Sequence, residues 1–216
     1  ISDVGFYAAP DFADIDADGL LDAFIGNSDG TTVFFHNTGT SAAPDFSGGS
    51  TTNPFGLGGL GGYAAPDFVD IDGDGDLDAF IGNNLGTTVF FHNTGTSTAP
   101  DFSRVSTTTP FGLADVGSYA APDFVDIDGD GDLDAFIGNH LGNTVFFYNT
   151  GTSSSPDFSG GSTTNPFGIS DVGSFVAPVF ADIDGNGLLD AFIGNGGGNT
   201  VFFHNTGTSA VPAFAA

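Results

Sequence analysis

The chain has 216 residues, of which 27 are acidic and one is basic, for a formal net charge of −26. That charge repels nucleic acid and anionic membranes, so both are excluded as partners. It also disfavours a compact chain unless cations sit among the carboxylates, which points to bound metal before any motif is read.

With 39% hydrophobic residues and 25 Phe, the chain is too apolar to be disordered despite 35 Gly and 11 Pro. There is no Cys, so disulfides and thiolate metal sites are excluded. No stretch approaches the ~18 apolar residues of a membrane-spanning helix. No Asn-x-Ser/Thr sequon occurs. The absence of Met and the start at Ile1 imply a processed or excerpted chain.

One repeat dominates. Asp-Ile-Asp begins at Asp14, Asp70, Asp126 and Asp182, and Thr-Val-Phe-Phe at Thr32, Thr88, Thr144 and Thr200, each at a step of 56 residues. The units are approximately 1–56, 57–112, 113–168 and 169–216, together one repeat domain. The last unit lacks eight residues equivalent to Gly49–Gly56, which read as linker.

In chain order, the second unit predicts a strand over Pro66–Ile71 and a Gly-punctuated turn over Asp72–Asp76. Strands follow over Leu77–Gly82 and Thr87–His92, separated by the turn Asn83–Gly86. A loop covers Asn93–Ala99, and Pro100–Ser103 opens a fourth strand. No segment carries a 3.6-residue apolar period. Ala79-Phe80-Ile81 and Val89-Phe90-Phe91 are apolar without alternation, so both sheet faces are covered. The expected architecture is all-β: a β-propeller of four four-stranded blades, with an open linear stack as the alternative.

The first turn carries the chemistry. Oxygens at loop positions 1, 3, 5 and 9, with a carbonyl at 7 and Gly at 6, can wrap one hard cation. Unit one offers Asp14, Asp16, Asp18 and Asp22 with the Leu20 carbonyl; unit two offers Asp70, Asp72, Asp74 and Asp78 with the Asp76 carbonyl. Unit three offers Asp126, Asp128, Asp130 and Asp134 with the Asp132 carbonyl. Unit four offers Asp182, Asp184, Asn186 and Asp190 with the Leu188 carbonyl. Asn186 lacks a charge, which makes that loop the weakest. Solvated Asp/Gly hairpin turns are the bland reading, but four matches in one register argue against it. The count of oxygens favours Ca²⁺ over Mg²⁺, about one ion per repeat and four in total.

The segment Phe-Val-Asp-Ile-Asp-Gly-Asp-Gly-Asp-Leu-Asp-Ala-Phe-Ile-Gly-Asn, beginning at Phe68, resembles the FG-GAP/VCBS repeat, and the resemblance covers all four units. That family builds the propeller heads of integrin α-chains, some fungal lectins and many bacterial extracellular proteins. The resemblance implies Ca²⁺ in the Asp loops and an extracellular or cell-surface location. The chain departs from the family in holding four units where about seven are usual, and in carrying Pro54-Phe55-Gly56 in its linker.

Other residues read blandly. His36, His92, His204 and Tyr148 share one strand-end position, expected to be a half-buried aromatic slot. His140 is expected to be exposed in a turn. Asp11, Asp67 and Asp123, replaced by Val179 in unit four, are expected to cap turns. Arg104 is expected to form a local ion pair. No catalytic residues are assigned, because cation loops depress the carboxylate pKa that a general acid needs raised. Strand alternation puts the Asp loops and Asn-Thr-Gly loops on one side. The variable turns, such as Asn84-Leu85 and His140-Leu141, fall with the linkers on the other. The expected role is a non-enzymatic extracellular structural or adhesive module, able to self-associate. A lectin-like binder of extracellular protein or glycan is the alternative.

Overall fold

The computed structural model describes residues 1–104 and 106–216. They form four antiparallel four-stranded sheets, the blades of a β-propeller. Blade one holds β1 (Ala9–Ala13), β2 (Asp22–Gly26), β3 (Thr32–Phe35) and β4 (Thr51–Thr52). Blade two holds β5 (Ala65–Val69), β6 (Asp78–Gly82), β7 (Thr88–Phe91) and β8 (Thr107–Thr108). Blade three holds β9 (Ala121–Val125), β10 (Asp134–Gly138), β11 (Thr144–Phe147) and β12 (Thr163–Thr164). Blade four holds β13 (Ala177–Ala181), β14 (Asp190–Gly194), β15 (Thr200–Asn205) and β16 (Phe214–Ala215). Each blade is a meander with strands in chain order. Consecutive connections therefore alternate between two sides, as the sequence predicts.

The three longer strands of each blade fall where expected, within two residues. The fourth does not. In blades one to three it is the Thr-Thr pair, not the segment equivalent to Pro100–Ser103. Phe102 explains the difference: its N–H donates to the Phe55 carbonyl of the preceding linker, 2.8 Å away, and its ring is buried. That segment is committed to the neighbouring blade. In blade four the equivalent residues do form the strand, with Phe214–Ala215 paired to Asn205 and His204. The eight residues missing from the last unit thus match a strand and a 3₁₀ turn (Thr51–Thr52, Pro54–Gly56) rather than linker alone.

The core lies between blades. Phe24 of β2 stacks on Phe68 of β5 at 4.0 Å, Phe80 on Phe124 at 4.1 Å, and Phe136 on Phe180 at 4.3 Å. These are offset aromatic contacts of the kind that exceed simple area burial in value. Gly26, Gly82 and Gly138 end the second strands against the next blade's backbone. A Cβ there would collide with the carbonyls of Ala64, Ala120 and Val176.

Asp11, Asp67 and Asp123 do not cap turns. They sit inside the innermost strands and bridge blades: Asp11 Oδ2 accepts from Phe68 N–H, Asp67 from Phe124 and Asp123 from Phe180, each at 2.9 Å. Turn chemistry is the wrong frame here, because the next strand supplies the donor. Burial pushes their carboxyls up, Asp11 to about 6, Asp123 to about 7 and Asp67 well above the usual range. They line an axial cavity of about 430 Å³ with Ala, Pro and Val179. No ion pair to Arg104 forms among the described residues. The guanidinium only helps to hold Asp101 low, behind the hydrogen bonds from Ser103. Among the described residues, no helix is long and apolar enough to cross a membrane.

Candidate metal centres

The Asp loops join the first and second strands of each blade. In unit two, Asp70 folds back to accept from Gly73 and Asp74 at Oδ1 and from Gly75 at Oδ2, at 2.8–3.1 Å. Asp74 Oδ1 accepts from Asp76 N–H at 2.9 Å. Asp126 and Asp182 repeat all three bonds, and Asp14 repeats those from the fourth and fifth residues on, Asp18 and Gly19. Gly at position 6 is left-handed in every loop: Gly19, Gly75, Gly131 and Gly187 have φ between +86° and +94°. This is the bend the sequence predicts. The carboxylates of each loop converge. Oxygens of Asp14, Asp16 and Asp18, and those of Asp70, Asp72 and Asp74, lie within 4.8 Å of one another.

The ninth-position acids supply the test of fit. Asp22, Asp78, Asp134 and Asp190 are at most 1% exposed. Each Oδ1 accepts the N–H of Asn37, Asn93, Asn149 or Asn205 at 2.7 Å. Each Oδ2 is buried with no hydrogen-bond partner. An unpartnered buried carboxylate oxygen is costly, and a cation among the loop acids removes that cost. Burial raises the Asp22 carboxyl and pushes Asp78 and Asp134 up to about 7, opposed by the Asn N–H and reinforced by the neighbouring acids. Desolvation and like charge outweigh the Asn N–H there. A hard divalent ion reverses that balance.

The sequence reading missed one contributor. His36, His92 and His204 are not an idle slot: each Nε2 lies 3.2–3.3 Å from the third-position Asp, namely Asp16, Asp72 or Asp184. In unit three the Tyr148 hydroxyl donates to Asp130 at 3.0 Å, and that bond with the neighbouring acids pushes Tyr148 up to about 12. Each His also has a ring nitrogen within 4.8 Å of oxygens of the third- and ninth-position acids, so it stands at the edge of the carboxylate cluster, whereas Tyr148 reaches the fifth-position acid. Strand register could have found it, because pairing Ala23 with Phe35 sets His36 opposite Asp22.

His140 is half-buried rather than exposed. Its ring lies 4.3 Å from Phe175 and 5.7 Å from Tyr119, and its Nδ1 has no partner. Tyr7, Tyr63, Tyr119 and Phe175 occupy one repeat position, all left-handed, and their rings meet around the axis on the linker side at 4.8–6.4 Å.

Four antiparallel blades with one acid loop apiece define a propeller of acidic-loop repeats. The chain matches the FG-GAP-like repeat family over residues 14–81, 70–137 and 126–193, and it belongs to that family. Each match begins on the first Asp of a loop and ends in the second strand of the following blade. No curated protein matches the chain.

Proposed function

We propose that this protein is an extracellular, calcium-stabilised propeller that acts as a structural or adhesive module, without enzymatic activity. FG-GAP-like propellers are structural or binding modules in general. The observation that carries calcium is the set of four buried, unpartnered Oδ2 atoms on Asp22, Asp78, Asp134 and Asp190. When bound, the ion supplies charge neutralisation. The chain's own residues hold the first-position Asp by backbone N–H groups and orient the ninth-position Asp through Asn. The turns and linkers on the opposite side then project from fixed blades and are free to engage a protein partner or a second copy.

The test is calorimetric titration of the chelated chain with Ca²⁺ and then Mg²⁺. Binding approaching one Ca²⁺ per repeat, tighter than Mg²⁺, supports the reading. No heat from either ion overturns it. A lectin-like role is a second reading, favoured by the aromatic cluster of Tyr7, Tyr63, Tyr119 and Phe175 on the variable side, where Tyr7 is 58% exposed. Glycan-array binding lost in Tyr7→Ala supports that role, and a blank array excludes it.

A further inference from the structure

Three seams join the four blades, and they are built alike. Ala64, Ala120 and Val176 donate backbone N–H to the carbonyls of Asn27, Asn83 and Asn139 in the preceding blade, at 2.9–3.0 Å. Beside each bond lies the Phe–Phe stack and the close glycine contact described above.

The seam from blade four to blade one has none of these among the described residues. Gly194, unlike its three counterparts, meets only the Ala177 carbonyl of its own blade, at 3.7 Å. Gly185 meets nothing, whereas Gly73 and Gly129 touch Ser153 and Ser209 of the next blade. Phe192 and Phe12 form no stack. The two ends touch on the axis, where the Tyr7 and Phe175 rings lie 5.9 Å apart.

Two matching faces are therefore left in water. On blade one, Phe12 is 49% exposed, while its equivalents Phe68, Phe124 and Phe180 are 3–8% exposed. It borders a groove of about 300 Å³ with Leu20, Leu21, Pro44 and Phe46. On blade four, Ile183 is 63% exposed, against 2–5% for Ile15, Ile71 and Ile127, and Phe202 is 41% exposed, against 7% for Phe146.

Leu20, in the blade-one groove, stands where the inner units have Asp76 and Asp132, and Val179 of blade four stands where the other units have Asp. Complementary apolar patches of this kind mark an interface.

We propose that a second copy of this chain docks its blade-one face on the blade-four face, head to tail, and rebuilds the seam the chain makes three times within itself. The contact is heterologous, so it closes a ring of copies or runs on as a filament, according to the rotation per blade. The proposal deepens the self-association in the reading above and rests on that reading. Sedimentation tests it, whereas calcium titration tests the loops.

Sedimentation velocity in Ca²⁺ over a wide concentration range should show the chain associating. Phe12→Asp spoils only the blade-one face, and Phe202→Asp only the blade-four face. Each variant alone should be monomeric, because neither can offer both halves of a seam. Mixed in equal amounts, they should form a dimer that grows no further. Both positions are exposed in the single chain, so circular dichroism should match that of the unaltered chain. A chain that stays monomeric at every concentration overturns the docking, and if it still binds Ca²⁺ the reading above survives. A variant that dimerises by itself overturns the head-to-tail arrangement in favour of like-to-like contact.

Discussion

Two sets of aspartates recur through this molecule, and the fold treats them in opposite ways. Asp11, Asp67 and Asp123 face the axis, and each carboxylate takes an N–H from the following blade. Asp22, Asp78, Asp134 and Asp190, at the end of the blades, are at most 1% exposed, yet each keeps one oxygen without a partner. Both environments raise the carboxyl pKa by desolvation, so the shift alone does not separate them. The orphaned oxygen does. Among the described residues the axial set leaves no buried oxygen without a partner, whereas each ninth-position acid leaves one. That oxygen, not acid density, is what supports the proposed ion site.

Removing calcium should widen this contrast the most. Each loop with Ca²⁺ at a hundred times its Kd gains about 2.7 kcal/mol. At roughly 2–4 °C per kcal/mol for a chain of this size, four loops correspond to a melting shift on the order of 20 °C or more. Calorimetric melts with and without EDTA measure it, and coincident melts would sink the calcium assignment.

Asp78→Asn should change sign between those two conditions. The amide oxygen still accepts the Asn93 N–H, so the backbone is held. In EDTA the variant loses an uncompensated buried charge and should melt above the unaltered chain. In Ca²⁺ it loses a ligand and should melt below it, by about 1–3 kcal/mol. Asp67→Ala should be destabilising in both, by about 1–3 kcal/mol, because it strands the Phe124 N–H whether or not calcium is present. A substitution at Asp67 whose cost depended on calcium would erase the distinction between the two sets.

Much of this was legible in the sequence. The 56-residue step, the unbroken apolar runs and the Gly at loop position 6 follow from local chemistry, and they hold in the structure. What failed depended on neighbours. Phe102 reads as strand-forming until the Phe55 carbonyl of another blade claims its N–H. Asp67 reads as a turn cap until Phe124, 57 residues on, supplies its donor. His92 reads as an aromatic slot until strand register sets it beside Asp72. The exposed faces of blades one and four were equally hidden, because Phe12 and Phe68 lie in nearly identical local sequence.

Acidity should act on the axial set in a predictable direction. Asp123 has its folded pKa raised from 3.8 to about 7 by burial. The folded state then binds a proton more tightly than the unfolded chain does. Its contribution is fully present below about pH 4 and is lost as pH rises through about 7. Asp123→Asn retains an acceptor for the Phe180 N–H and cannot ionise. Melts in EDTA should show the variant gaining steadily on the unaltered chain as pH rises from 4 to 7. A difference that stays flat over that range would mean the axial carboxylates titrate as ordinary surface acids.

The smallest effect belongs to Asn186. It reproduces the backbone role of the fifth-position acids: its Oδ1 accepts the Leu188 N–H at 2.7 Å, as Asp18 accepts Leu20 at 2.8 Å and Asp74 accepts Asp76 at 2.9 Å. The loop is therefore shaped like the others and differs by one charge. It differs also in its surroundings, because Gly185 faces open water and the Asp184 side chain is 45% exposed, against 30% for Asp72. Asn186→Asp separates the two causes. If charge sets the weakness, the variant should tighten the fourth site to match the other three, a gain on the order of tenfold or about 1.4 kcal/mol. If exposure sets it, the affinity should stay low in the single chain and rise only when a second copy covers blade four, so the same titration repeated at associating concentrations distinguishes them.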